Sequence, residues 1–379
     1  MKTLEPTQKP VTSWPETETL ARGLSSILGN TVLGRERLVI LDRNRSVPSM
    51  TFPTEVVTCR VGRRRPMKLF CKYEAGRTHN AYGHRGGVAY EAEVYRRLLR
   101  PLGTTTPRFI GAWNEPASGD HWLIIEYLED SVILRDLPAE MRDSGEPTGM
   151  SMAAGWIGRF HAETEGRSTD KRLSFLNRYD AGYYLGWAQR TSDLAGPLHG
   201  RHRWLRGLCR CAGELLRPLL TAATGVVHGE YYENNILVCR RAVYPTDWES
   251  AAIGPGEIDL AALTEGPWNP DIVRQCKMEY QQARWPEGAP KRFESTLAAA
   301  RLYLHFRWLG ERSDWTQSEE CGWRFEELGA LARQAGLAGR LVGWRRNDGS
   351  PDPFSPRPAG GAGTRTLIGG FKAKTSAPG

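Results

Sequence analysis

Between residues 228 and 263 the chain reads HGEYYENNILVCRRAVYPTDWESAAIGPGEIDLAAL. Glu230 is followed five residues on by Asn235, and a second acid, Asp247, stands beyond an apolar hairpin with arms Asn-Ile-Leu-Val and Ala-Val-Tyr-Pro-Thr. One loop and one hairpin thus bring together a carboxylate that can orient a hydroxyl and two hard oxygen donors of the kind Mg2+ prefers. Transfer of a phosphoryl group asks for that set, because its loose transition state needs positioning and charge stabilisation more than covalent help. A chance strand-turn-strand with scattered acids does not account for His-Gly, Asn-Ile-Leu, Asp-Trp-Glu and Asp-Leu-Ala in this order within 36 residues.

The order of acid, four residues, Asn, then metal-binding Asp is that of the protein-kinase catalytic loop. The stretch resembles the aminoglycoside phosphotransferase family, a kinase-fold family that modifies small molecules. Its pattern is His-Gly-Asp, four residues, Asn-Ile-Leu, then Ile-Asp-Trp-Glu and Gly-Pro-x-x-x-Asp-Leu-Ala. The departure falls at the catalytic acid, where this chain carries Glu230 in place of Asp. Glu has nearly the same intrinsic acidity and one more methylene, so a slightly recoiled loop preserves the chemistry.

The resemblance implies roles residue by residue. Glu230 orients and deprotonates the acceptor hydroxyl, and Asn235 and Asp247 hold Mg2+. His228 orients the catalytic loop and Asp259 braces it, while Glu249 reaches the metal directly or through water. No other His or Cys neighbours His228 in sequence, which argues against a metal-ligand role for it. Lys72, in the run Lys-Leu-Phe-Cys-Lys-Tyr, takes the place of the phosphate-orienting lysine on the third strand. Its partner is a glutamate of the next helix: Glu91 or Glu93, with Tyr-Glu-Ala-Glu-Val against the family's Arg-Glu-Ala-Glu-Val favouring Glu91. Between the first two strands no glycine is available to cover the phosphates, so Ser46 or Ser49 is the candidate there. Adenine is expected on backbone groups of Glu126 and Leu128, just after the fifth strand. The donor is then ATP, with GTP as the alternative.

The implied fold is α+β, a protein-kinase-like two-lobe fold whose N-lobe is a five-stranded antiparallel sheet with one helix and whose C-lobe is mostly helical. Local patterns agree. Leu20, Leu24, Ile27 and Leu28 recur at helical spacing. Strand-like runs follow at 37–41, 55–61, 67–73, 109–113 and 122–127, with a helix at 89–99. Helical patterns then cover 152–165, 181–191, 203–222, 271–284, 293–310 and 323–335. The division expected is an N-terminal arm and short helix over 1–30, a nucleotide-binding lobe over 31–128, a helical lobe with the catalytic loop over 129–345, and a disordered basic Pro/Gly-rich tail over 346–379. Tyr231, Tyr232 and Trp248 read as packing residues near the chemistry, and Trp268, Trp308 and Trp323 as core.

Net charge is +8, but from Arg340 onward seven basic residues face only two acids, so most of the excess belongs to the tail. No nucleic-acid motif accompanies it, which argues against a nucleic-acid partner. No run of about 18 apolar residues predicts a membrane span, and the polar N-terminus predicts no secretory signal. With seven dispersed cysteines lacking a C-x-x-C pair, the expectation is a cytoplasmic protein with reduced thiols. The partner implied is a small molecule bearing a hydroxyl, such as a sugar, an amino alcohol or an antibiotic-like acceptor. A polycationic aminoglycoside needs a carboxylate-lined pocket, and only Glu265 and Asp271 stand near the expected cleft mouth, so a neutral or anionic acceptor fits better. Two rivals remain: a kinase-fold binding protein without turnover, supported by Glu230 and the missing glycine loop, and a basic nucleic-acid binder, supported by charge alone.

Overall fold

The computed structural model describes residues 14–334 apart from 30–36, 46–50, 78–79 and 145–147. Ser46, Ser49, most of the N-terminal arm and the tail lie outside the described residues. The first lobe is a five-stranded antiparallel sheet, β1 (Leu38–Asn44), β2 (Thr54–Val61), β3 (Met67–Tyr73), β4 (Phe109–Asn114) and β5 (His121–Glu126), in the order β1-β2-β3-β5-β4. Helix α1 (Thr17–Gly29) lays Leu20, Leu24, Ile27 and Leu28 on one face of it, against Val57, Cys59, Trp122 and Ile124. Helix α2 (Gly87–Val94) covers the other face, where Val88 and Ala92 share a core with Leu123 and Ile125. The alternation along β5, with Ile124 on one side and Leu123 and Ile125 on the other, is the period of two of a strand buried on both faces.

Strand β1 runs further than expected, through the polar Asp42-Arg43-Asn44. Arg43 explains it: its Nε and Nη2 donate to the two oxygens of buried Glu55 on β2, at 2.8 and 2.5 Å, an ion pair that outweighs local polarity. Helix α2 also differs, starting at Gly87 and continuing beyond Val94 through a π-helical turn (Tyr95–Leu99) and a last turn (Arg100–Leu102).

The second lobe is mainly helical: α3 (Gly149–Thr164), α4 (Ala181–Leu194), α5 (Glu257–Leu263), α6 (Pro270–Arg284), α7 (Phe293–Leu309) and α8 (Gly322–Gln334). Side chains of Thr148, Asp180 and Asn269 cap α3, α4 and α6. Helices α3 and α6 lie so close that a Cβ on Gly158 would stand 2.7 Å from the Tyr280 carbonyl oxygen. The single helix expected over 203–222 is instead three pieces, Leu205–Arg210, Ala212–Leu215 and Arg217–Thr221. Cys211 and Leu216 open the turns between them with ψ near 0°, and Pro218 cannot continue the ladder. Trp268, Trp308 and Trp323 are half-buried, Trp268 packing against the core, and each carries an arginine on its ring: Arg142, Arg307 and Arg324. All seven cysteines are free, and no helix among the described residues is long and apolar enough to cross a membrane.

Leu24 is fully buried between α1 and the sheet. Leu24→Ala should lower unfolding free energy by about 2–5 kcal/mol, read as a shifted denaturant midpoint, because the rigid sheet collapses little into the space left.

Candidate active site

On β3, Leu69, Cys71 and Tyr73 face α1, so Lys72 points the other way, into the cleft between the lobes. Its Nζ donates to Glu91 Oε2 at 2.8 Å and to Asp247 Oδ1 at 2.6 Å, with Glu249 Oε2 at 3.5 Å. The other Glu91 oxygen accepts from the Trp248 amide at 3.0 Å, so one carboxylate ties α2 to both lobes. Glu93 turns outward to Arg96 and Arg97, which leaves Glu91 as the lysine's partner. Burial alone would lower the Lys72 pKa, but Asp247, Glu91 and Glu249 hold it well above the usual value. Burial also lifts Glu91, against the pull of Lys72. Glu249 is pushed up to about 8 by burial, with Lys72 opposing and Asp247 and Glu91 adding to the push. Lys72 faces three carboxyl groups, of which Glu249 also lies 3.5 Å from Arg85 Nε, so Glu91 and Asp247 are the two charged partners of one ammonium. Asp247 itself is left-handed, φ 64° and ψ 58°, a strained backbone for a non-glycine residue.

Asp259, at the start of α5, is completely buried and accepts from the amides of His228 (2.7 Å) and Gly229 (2.9 Å), while His161 Nε2 lies 3.0 Å away. Gly229 has φ 86°, and a Cβ there would come within 2.3 Å of the Ser250 carbonyl oxygen, so the loop needs glycine. His228 spans the loop, its Nε2 2.9 Å from the Thr246 carbonyl and its Nδ1 accepting from the Glu230 amide at 3.3 Å. Asn235 Nδ2 donates to the Glu230 carbonyl at 2.9 Å, which fixes the amide and leaves its Oδ1 as the metal-competent atom.

The Glu230 carboxylate is only 4% exposed. Arg85 grips it with both prongs, Nη2 to Oε1 at 2.7 Å and Nε to Oε2 at 3.1 Å. Fully buried Arg307 stands 3.2 Å away, Ser250 Oγ donates at 3.3 Å, and His84 Nε2 lies at 3.7 Å. Burial would raise this carboxyl, yet Arg307 and Arg85 hold it well below the usual range. Arg85 and His84 come from the segment just before α2, where Ala81, Tyr82, Gly83 and Gly87 all have positive φ. The Gly86 amide bonds the Glu249 carbonyl (2.8 Å) and Asn177 Nδ2 bonds the Gly83 carbonyl (3.0 Å), pinning this first-lobe segment onto the second. The glycine-flanked Gly-His-Arg-Gly-Gly run was the sequence signal for it. Arg307, inside α7, left no such signal.

Lys72, Glu91, Asp247 and Glu249 therefore meet in one cluster, and Glu230, Asn235, His228 and Asp259 in the adjoining loop. Tyr231 and Trp248 are buried packing residues. Tyr232 differs: its hydroxyl accepts from Trp308 Nε1 at 2.8 Å and Arg307 Nη2 at 3.3 Å, joining the arginine network. Glu265 is bound bidentately by Arg324, at 2.7 and 3.0 Å, and Asp271 pairs with Arg274, so neither is a spare carboxylate for a cationic ligand. At the inter-lobe connector the Glu126 amide donates to the Arg108 carbonyl (2.9 Å) and the Leu128 carbonyl accepts from Ser131 (2.8 Å).

A sheet lobe and a helical lobe meeting at a lysine–glutamate pair, above a loop braced by a buried aspartate, define a protein-kinase-like fold. Residues 77–291 match the model of the family described as APH, Phosphotransferase enzyme family, and the chain belongs to that family. Among solved structures it resembles choline kinase LicA from Streptococcus pneumoniae (14% identity, 84% of this chain and 98% of that one, TM-score 0.54). It also resembles choline kinase from Cryptosporidium parvum Iowa II (14%, 86% and 98%, 0.54) and an aminoglycoside 2'-phosphotransferase IIIa in complex with GDP (12%, 85% and 100%, 0.55). At these identities the likeness is one of fold. No curated protein matches the sequence.

Asp259→Ala should destabilise the protein by roughly 2–5 kcal/mol, because two buried amides lose the carboxylate that accepts from them; chemical denaturation measures it. Acid should also destabilise. Burial, with Arg307, lowers buried His84 to about 4, and burial lowers His305 to about 4 despite Glu265. The unfolded chain takes up protons below about 6.5 that these residues refuse, so each histidine takes away roughly 1 kcal/mol of stability per pH unit as pH drops from about 6.5 towards 4, while Glu249, held at about 8, offsets the loss of one of them. Melting temperatures between pH 7.5 and 5 should show the slope, and His305→Gln should flatten it.

Proposed function

We propose that the protein transfers the γ-phosphate of ATP, or alternatively GTP, to a hydroxyl of a small molecule, with Mg2+ bound by Asp247 and Asn235. The observation that carries this reading is the Lys72 ammonium bridging Glu91 and Asp247 in the inter-lobe cleft. The donor chemistry fits a divalent cation: a carboxylate 37% exposed, an amide oriented by its bond to the loop, and a cluster with more negative than positive charge. When bound, Mg2+ would neutralise charge on the transferring phosphates.

Lys72, positioned by Glu91, orients the nucleotide phosphates. Glu230 accepts a hydrogen bond from the acceptor hydroxyl and aims its oxygen at the γ-phosphorus. The new oxygen–phosphorus bond forms as the bond to the β–γ bridging oxygen breaks, the nucleoside diphosphate leaves with that electron pair, and the hydroxyl proton passes to Glu230. Because Arg307 and Arg85 keep Glu230 a weak base, the proton moves late, which a loose transition state tolerates. The same two arginines favour a second reading, a kinase-fold binding protein whose carboxylate is too well paired to turn substrate over.

ATP with Mg2+ should raise the melting temperature, equivalent to about 2.7 kcal/mol at a hundredfold excess over Kd. Asp247→Ala should abolish the rise, and a mutant keeping it would remove Asp247 from the metal site. With a cognate acceptor, Glu230→Gln should cut turnover about 10²–10⁴-fold while leaving the nucleotide shift intact. A nucleotide shift without phosphate transfer to any acceptor would favour the second reading.

A further inference from the structure

An acceptor whose hydroxyl reaches Glu230 must lie against whatever else surrounds that carboxylate. The surroundings are donors: Arg85 on both oxygens, Arg307 Nη1 at 3.2 Å, and Ser250 Oγ at 3.3 Å. Two further buried nitrogens, Arg307 Nε and His84 Nε2, have no hydrogen-bond partner among the described residues, the second standing 3.7 Å from Glu230 Oε1. One carboxylate, Glu311, bridges the two guanidiniums, Oε1 to Arg85 Nη1 and Oε2 to Arg307 Nη1, both at 3.2 Å. A single acid group split between two arginines is how a ligand carboxylate or phosphate would sit there. The bonds are long for charge-assisted ones, which run at about 2.7–2.9 Å.

Glu311 follows Gly310 just past the end of α7. Arg190 holds the carbonyls of both residues, Nε to Gly310 at 2.8 Å and Nη2 to Glu311 at 3.1 Å. Arg190 thus fixes the backbone here, and displacing the Glu311 side chain would hand the two guanidiniums to another anion. A cationic acceptor offers the two guanidiniums no bond to replace those of the Glu311 carboxylate.

We propose that the acceptor carries a carboxylate or phosphate a few bonds from the hydroxyl it presents, and that Arg85 and Arg307 bind this group where the Glu311 carboxylate now lies. This rests on the phosphotransferase reading above. Glu230 then touches the hydroxyl while the arginines that hold Glu230 also hold the acid, fixing one relative to the other.

Two measurements on the full chain test it. Nucleoside diphosphate release from ATP with Mg2+ is followed with matched pairs: glycerate and glycerol, serine and ethanolamine, gluconate and glucose, glycerol 3-phosphate and glycerol, together with choline and kanamycin. The acidic member of at least one pair should exceed its partner by more than tenfold, and Arg85→Lys should raise its KM more than it lowers kcat. The second probe is inorganic phosphate. Glu311→Gln opens the clasp, so millimolar phosphate should raise its melting temperature more than that of the unaltered protein, and adding Arg85→Gln should erase the difference. An Arg85-dependent phosphate shift supports the clasp even if every panel acid is inert. Fastest turnover of a neutral or cationic compound overturns the proposal, as does absence of both acidic turnover and the phosphate shift. Loss of nucleotide stabilisation in the unaltered protein would instead strike the phosphotransferase reading itself.

Discussion

The buried ammonium of Lys72 is the point on which the two lobes depend. It belongs to the sheet, its first partner Glu91 to the helix packed on that sheet, and its second partner Asp247 to the far lobe, just beyond the hairpin of residues 236–245. Removing one member of such a buried set leaves an uncompensated charge, at a cost on the order of 3–5 kcal/mol. Glu91 adds a backbone bond to Trp248, so the angle of α2 and the position of Asp247 are set together. Cleft geometry and inter-lobe stability are thus the same interaction.

Strain is concentrated around this point. Asp247, Ala81 and Tyr82 all adopt positive φ without being glycine, each costing on the order of 1–3 kcal/mol. What offsets it is visible nearby. Tyr82 packs its ring against Trp187 and beneath Arg190, and the Gly86 amide bonds the Glu249 carbonyl. The awkward backbone of the segment ahead of α2 delivers His84 and Arg85 to the Glu230 carboxylate.

Glutamate at position 230 becomes intelligible in this setting. Its extra methylene carries the carboxylate towards Arg85 and Arg307, where both oxygens are engaged. An acid so paired stays ionised and oriented but binds a proton weakly. Phosphoryl transfer through a loose transition state needs orientation first. Arg85 joins the surroundings of Glu230 to those of Lys72, because its Nε lies 3.5 Å from Glu249, so the two buried arginines face Glu230, Glu311 and Glu249.

The sequence by itself determined the family and the order of the candidate site residues along the chain. His228, Glu230, Asn235, Asp247 and Asp259 sit at spacings that local geometry, a loop and a hairpin, converts directly into a site. The sheet strands and most helices were equally legible, because period-two and period-3.6 patterns report burial on one face. Only tertiary structure decided the rest. Arg85 lies 145 residues from Glu230 in the chain and Arg307 lies 77 beyond it, and no local pattern distinguishes a buried arginine from a solvated one. The polar end of β1 was held as strand by Arg43 and Glu55, and the helix expected over 203–222 broke at Cys211 and Leu216. Burial turns these long-range charges into decisive contacts, since desolvation makes an unpaired guanidinium or carboxylate too costly to leave alone.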